Sequence, residues 1–224
     1  MDTHDGQVHA RSTRPDRLVD DLADWIAATA PERWLRVAID GAPPAAPGEL
    51  ADALVDPVRR RGRPVVRVVA ADFLRPASLR LERGRTDPDA YYEDRLDFAA
   101  LAREVLAPLA PGGTGRYLPS RWDTRADRAT RAAYRIAPPR AVLLLDGELL
   151  LGRGLPLDST VHLALSPAAL ARRVDSACRW VLPAYERYSL VVRPQETADV
   201  VVRVDDPRRP ALVLRDPPPS AGCR

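Results

Sequence analysis

The chain has 224 residues, 46% of them hydrophobic, enough for one full α/β domain with a substantial core. All 34 basic residues are arginine, and 31 acids interspersed among them leave a net charge of +3, so no nucleic-acid-binding surface is expected. No apolar run is long enough to span a bilayer and the start has no charged-then-apolar leader, so a cytoplasmic protein without a membrane partner is expected.

Residues 1–17 are polar and charged and read as a disordered lead-in. From Leu18 to Ala30 apolar groups recur at helical spacing, and Pro31 ends the run. WLRVAI (34–39) reads as a strand. It enters the loop 40–50, after which Leu50, Ala53 and Leu54 predict a helix ending near Arg61-Gly62. Arg59, Arg60, Arg61 and Arg63 are expected to form its solvated end. VVRVVA (65–70) is a second buried strand, left through ADFLRP (71–76). The polar stretch 77–98 leads to a helical segment, Leu101–Leu109, and to the turn PGGTG at 111–115.

An arginine-rich excursion occupies 116–136, and AVLLLDG (141–147) and Val161–Leu165 read as the third and fourth strands. Residues 167–190 predict a helix broken or kinked at Pro183. Val200–Val204 is a fifth strand, Leu212–Leu214 a short edge strand, and 215–224 a flexible Pro-rich tail. A single domain over 18–214 follows, with strands alternating with helices. That alternation predicts a doubly wound, mainly parallel sheet covered by helices on both faces. Ligands of such sheets sit at the carboxyl ends of the strands, where Gly41, Asp72 and Asp146 fall. Cys178, Cys223, His4, His9 and His162 stand at no metal-ligand spacing, so zinc is not expected.

The loop Asp40-Gly41-Ala42-Pro43-Pro44-Ala45-Ala46-Pro47-Gly48 stands where a phosphate-binding loop, G-x-x-x-x-G-K-S/T, would stand. Gly41 keeps the first glycine. Ala46 replaces the second, Pro47 takes the lysine position and Gly48 the hydroxyl position. Prolines 43, 44 and 47 have no N–H to donate to a phosphate.

In this order VAIDG (37–41), DFLRP (72–76), ERGRTDPDAYYEDRLDFAAL (82–101), PGGTGRY (111–117), AVLLLDG (141–147), YERY (185–188) and ADVVVRVDDPRRPAL (198–212) occur. Together, over about residues 34–212, they resemble the uridine kinase family of P-loop nucleoside kinases, especially its bacterial branch. The resemblance implies a P-loop NTPase-like α/β fold and transfer of the γ-phosphoryl of ATP to a nucleoside 5′-hydroxyl, with Mg. Such catalysis works by positioning and electrostatic stabilisation.

Carried onto this chain, the resemblance implies nucleotide contacts at Gly41 and Gly48 and from the lid-region Arg172 and Arg173. Arg179 lies in the same region. It implies a nucleoside pocket from Tyr91, Tyr92, Arg116 and Tyr117, and Asp146 as a magnesium residue acting through water. The family's catalytic base position is Ala71, so Asp72, one residue on, is the candidate that remains. The expectation is a diverged kinase-like protein with weak or no ATP-dependent phosphotransfer and a nucleoside or nucleotide ligand. Two alternatives stay open: a working kinase using Asp72 and the lid arginines, with ATP and Mg, or a regulatory and interaction module that keeps the fold and needs no cofactor.

Overall fold

The computed structural model describes residues 9–214. In chain order its first elements are β1 (His9–Ser12), α1 (Pro15–Ala28), β2 (Leu35–Gly41), α2 (Pro47–Arg60) and β3 (Val65–Val69). Short helices α3 (Ala77–Arg80), α4 (Pro88–Glu93) and α5 (Phe98–Leu101) follow. The arginine-rich excursion then folds on itself: β4 (Arg116–Tyr117) pairs with β7 (Arg135–Ile136), and β5 (Trp122–Asp123) with β6 (Arg128–Ala129). The last elements are β8 (Val142–Gly147), β9 (Ser159–Ala164), α6 (Pro167–Arg173), α7 (Leu182–Val191), α8 (Pro194–Thr197), β10 (Val200–Arg203) and β11 (Ala211–Leu214).

The main sheet has seven strands in the order β1-β11-β10-β9-β2-β8-β3. The five from β10 to β3 run parallel, and β11 and β1 add antiparallel pairings at one edge. β2 lies between β8 and β9, and the chain crosses over it in going from one to the other. The direction of winding therefore reverses beside β2, the place where such sheets open a crevice at their carboxyl ends.

Side-chain alternation along the strands divides the core in two. Leu35, Val37 and Ile39 of β2 pack with Leu22 and Ile26 of α1 and with Leu54 and Val58 of α2. Ala38, with Val66, Val68, Leu143 and Leu145, faces the other way, toward Leu101, Val105, Leu106 and Leu109. This is the mainly parallel, doubly covered sheet that the alternating pattern predicts.

Three expectations are corrected by packing. Residues 9–17 are not a loose lead-in: β1 pairs with β11, and α1 begins at Pro15, an N-terminal position where a missing N–H is harmless. (Residues 1–8 and 215–224 of the expected lead-in and tail lie outside the described residues.) The helix over 167–190 breaks at Val174 and Asp175, both extended, and not at Pro183. Pro183 falls in the first turn of α7, and the Asp175 carboxylate accepts from the Ala177 amide to start a separate helical turn. Arg63 is buried, not solvated. Its guanidinium donates to the carbonyls of Thr29 at 3.2 Å and Arg33 at 2.9 Å, just beyond the end of α1, and of Arg140 at 2.7 Å, just before β8.

Candidate functional site

β2 delivers Gly41 to the carboxyl end of the sheet, with every residue of the strand buried. A Cβ at 41 would lie 3.0 Å from the Leu163 Cβ and 3.1 Å from the Leu163 carbonyl oxygen, so close packing against β9 calls for glycine there. The chain then makes one tight 3₁₀ turn, Pro43–Ala45, and Ala46 enters the left-handed region (φ 58°, ψ 52°) before α2 starts at Pro47. Within this turn the Ala45 amide donates to Ala42 at 2.7 Å and the Ala46 amide to Pro43 at 2.9 Å. The Leu50 amide donates to Ala46 at 3.2 Å. Between Pro43 and Leu50 this leaves the Gly48 and Glu49 amides, the usual unsatisfied donors of a helix start. Arg173 reaches the same turn from α6 and donates to the Pro44 carbonyl at 3.4 Å, while also donating to Asp205 at 2.8 Å.

A cleft of about 340 Å³ opens at these strand ends. Gly41, Pro43, Ala46, Pro47, Gly48 and Glu49 form one wall, and Val69, Ala70, Ala71, Leu74 and Leu96 another. Its charged lining is Asp146, Glu148 and Arg95, besides Glu49. Asp146 is buried at the end of β8, and its Oδ1 is held by Arg67 Nη1 at 2.8 Å. The same guanidinium reaches Asp52 of α2, Nη2 to Oδ1, at 2.8 Å and donates to the Leu144 carbonyl at 3.1 Å. The other carboxylate oxygen of Asp146 faces Gly48: a Cβ there would stand 3.1 Å from it.

Ala71 lines the cleft. Asp72, in the short helical turn that ends β3, is half-buried and outside the cleft lining. Its carboxyl is pushed above the ordinary range by burial first, then by the negative charges of Asp146 and Asp123. A raised carboxyl contributes stability while it is protonated and loses it as pH rises through the folded-state value. Asp72→Asn is therefore expected to raise the melting temperature at neutral pH, with the difference from wild type vanishing below pH ~4, the ordinary Asp value. Scanning calorimetry across pH checks this; equal stabilisation at every pH would exclude titration of Asp72 as its origin.

Glu148, two residues past Asp146, gathers a polar cluster behind the cleft. Arg95 pairs with it at 3.0 Å, Tyr91 donates at 2.7 Å, and Tyr185 of α7 also donates to the Oε2 that Tyr91 uses. Arg95 lies 4.5 Å over the Tyr91 ring, and Trp180 meets that ring edge-on at 5.4 Å. Burial, and then the Glu148 charge, push the hydroxyls of Tyr91 and Tyr185 above the ordinary tyrosine value. One turn along α7, Tyr188 donates to Asp40 at 2.9 Å, and His162 Nδ1 lies 2.7 Å from the same carboxylate oxygen.

Of the residues singled out from the sequence, Gly41, Gly48 and Asp146 meet at the cleft, and Tyr91 joins it through Glu148. Tyr92 is buried with the guanidiniums of Arg153 and Arg187 over its ring, at 4.0 and 4.4 Å. Tyr117 packs in the core beside Leu106 and Leu109, and Arg116 is exposed, 3.8 Å over the Tyr134 ring. Arg172 and Arg179 are exposed, whereas Arg173 holds the turn. Glu148, Arg95, Tyr185, Arg67 and Asp40 were not foreseen. A signal existed for two of them: an acid inside an apolar run (AVLLLDGELLL) and one directly after the apolar residues Val37–Ile39 (VAID) stand where acids are rarely buried without partners.

No protein-family model matches the chain, and no curated protein does. Solved structures do. A possible uridine kinase from Bacillus stearothermophilus superposes with a TM-score of 0.67 at 19% identity, over 82% of this chain and 96% of that one. A protein provisionally named a fructose transport system kinase, from Silicibacter sp. TM1040, gives 0.57 at 21% identity over 80% and 94%. The YGR205w protein gives 0.55 at 10% identity over 89% and 99%. No helix among the described residues is long and apolar enough to cross a membrane. With its central β2, its winding reversal and these neighbours, the chain has a P-loop NTPase-like α/β fold of the kind found in uridine-kinase-like and related kinases.

Proposed function

We propose that this chain is a diverged nucleoside-kinase-like protein that takes a nucleoside in the cleft and carries out weak or no ATP-dependent phosphotransfer. The observation that carries this reading is the state of the loop: three prolines and two internally bonded amides leave it with the Gly48 and Glu49 amides alone to turn toward a phosphate. Its Pro44 carbonyl is turned outward to Arg173, an acceptor where a triphosphate needs donors.

The residues present do not fit a magnesium-bound triphosphate. The chain has no lysine, position 48 has no hydroxyl, and Asp146 is held by Arg67. A cleft of about 340 Å³ is within the range of small-ligand sites. Its apolar wall with a few polar groups suits a nucleoside, with Gly41 and Gly48 at the loop side and Tyr91 behind Glu148.

The rival reading, a working kinase using ATP and Mg, has one observation in its favour: Arg173 already touches the loop, where it could offset part of the missing lysine. Asp72 would then have to act as base. Thermal-shift titrations with uridine, cytidine and ATP–Mg, together with a coupled assay for ADP, separate the two. The expected result is stabilisation by a nucleoside, none by ATP–Mg, and no ADP above background. Turnover that Arg173→Ala or Asp72→Ala abolishes would establish the working kinase instead.

A further inference from the structure

The geometry points to Arg67 as a built-in counter-ion that takes the charge role of a divalent metal at Asp146 and makes the cleft metal-independent. Arg67 lies on β3, beside β8 in the sheet, so its guanidinium reaches the Asp146 carboxylate from within the fold and not from a bound ligand. It is fixed by Asp146 at 2.8 Å, Asp52 at 2.8 Å and the carbonyls of Leu144 at 3.1 Å and Val68 at 3.3 Å. A planar guanidinium held by two carboxylates is a cation pre-organised for such contacts.

Position 48 completes the arrangement. A side chain there would have its Cβ 3.1 Å from Asp146 Oδ2, tighter than ordinary contact, so glycine leaves room for the carboxylate in its Arg67-bound position. Removal of the hydroxyl at 48 and occupation of the carboxylate at 146 are thus two halves of one change. A metal would lose both protein ligands expected on this side of the cleft.

The pairing also sets the ligand class. Among the described residues lining the cleft Arg95 is the one cation, and it is committed to Glu148 at 3.0 Å. The paired charges neutralise one another, and Glu49 remains as a carboxylate at the first turn of α2. An anion finds no uncommitted cation in this lining, whereas an uncharged, hydroxyl-bearing molecule finds donors and acceptors without any metal. The part of the inference that concerns Arg67 does not rest on nucleoside binding, since metal alone probes it.

The test uses the full chain and Mn²⁺ or Mg²⁺ as the probe. Wild type is expected to show no saturable Mn²⁺ binding by electron paramagnetic resonance and no shift in melting temperature with either ion. Arg67→Gln, which keeps a polar side chain near Leu144, and Arg67→Met, which keeps the packing, each leave Asp146 and Asp52 unpaired with Asp72 nearby. Either variant should gain a metal-dependent rise of about 3–6 °C at about ten times the dissociation constant. Two results of the metal titration would overturn the inference. One is saturable Mn²⁺ binding by wild type that Asp146→Asn abolishes, which holds whether or not the Arg67 variants fold. The other is a folded Arg67 variant with no metal response. Uridine binding is then measured with EDTA and with Mg²⁺. Equal affinities support the metal-independent cleft, and a requirement for Mg²⁺ refutes it. Absence of uridine binding in both media would instead count against the nucleoside reading, leaving the Arg67 result intact.

Discussion

Asp40→Ala is expected to lower the unfolding free energy by about 3–5 kcal/mol, the largest loss for a single truncation near the cleft. Asp40 closes β2 with no exposed surface. Its Oδ1 accepts from the Leu150 amide at 2.9 Å, and its Oδ2 from the Tyr188 hydroxyl at 2.9 Å and faces His162 Nδ1 at 2.7 Å. The Tyr188 hydroxyl in turn accepts from the Leu151 amide at 3.0 Å, so one carboxylate ties β2, β9, α7 and the 149–151 segment together. Burial, then the adjacent Asp40 charge, push the Tyr188 hydroxyl far above its ordinary value, and it stays a donor at any workable pH.

Alanine strands these donors in a site that water does not reach, and each stranded donor costs about 1–3 kcal/mol. Asp40→Asn keeps the volume and one acceptor and should cost clearly less. Urea denaturation, with unchanged slope, measures both. A loss for Asp40→Ala below about 1 kcal/mol would mean that water or rearrangement satisfies the network, contrary to its burial. Because Glu148 and Leu150 lie on the same segment, the variant should also weaken whatever the cleft binds.

The fold was legible because its determinants are local and repetitive. Apolar strands of five to seven residues such as Val65–Val69 and Leu35–Gly41, separated by helical periodicity, leave few arrangements other than a mainly parallel sheet. What escaped was long-range pairing. β1 is four residues without apolar alternation (HARS), and what makes it a strand is β11, some two hundred residues away. Arg63 reads as the end of a charged run and is buried because the carbonyls that need it, those of Thr29, Arg33 and Arg140, converge from other segments.

The site shows the same division. Loss of loop amides could be read directly, since proline has no N–H in any context. The partner of Asp146 could not. Arg67 appears in VVRVV as a polar residue in a strand, and nothing in that pattern says its side chain crosses to β8. Glu148 likewise reads as the residue after Asp-Gly, while its meaning depends on Tyr91 and Tyr185, which are 57 and 37 residues away.

Wild type is expected to bind ATP–Mg no more tightly than the millimolar range, and rebuilding the loop signature should recover only part of the loss. A missing lysine contact is worth about 1.5–3 kcal/mol and each amide lost to proline about 1 kcal/mol. With Pro43, Pro44 and Pro47 the deficit is about 4.5–6 kcal/mol, three to four decades in affinity, which carries a micromolar nucleotide site to millimolar or weaker.

Ala46→Gly, Pro47→Lys and Gly48→Ser together restore the glycine, the cation and the hydroxyl, and remove one proline. They leave Pro43 and Pro44, the Ala45 amide bonded to Ala42, and a serine Cβ set against an Asp146 carboxylate that Arg67 still holds. The triple variant should therefore gain about ten- to a hundredfold in affinity, the worth of one charge-assisted contact and one amide with the steric cost at 48 set against them. Adding Arg67→Gln to the triple variant should increase the gain by freeing Asp146 to swing away from serine 48 and toward a metal. Isothermal calorimetry with ATP–Mg on the three proteins reads the series. Micromolar binding by wild type would show that this turn opens to present its amides, and the argument from its prolines would fail at its first step.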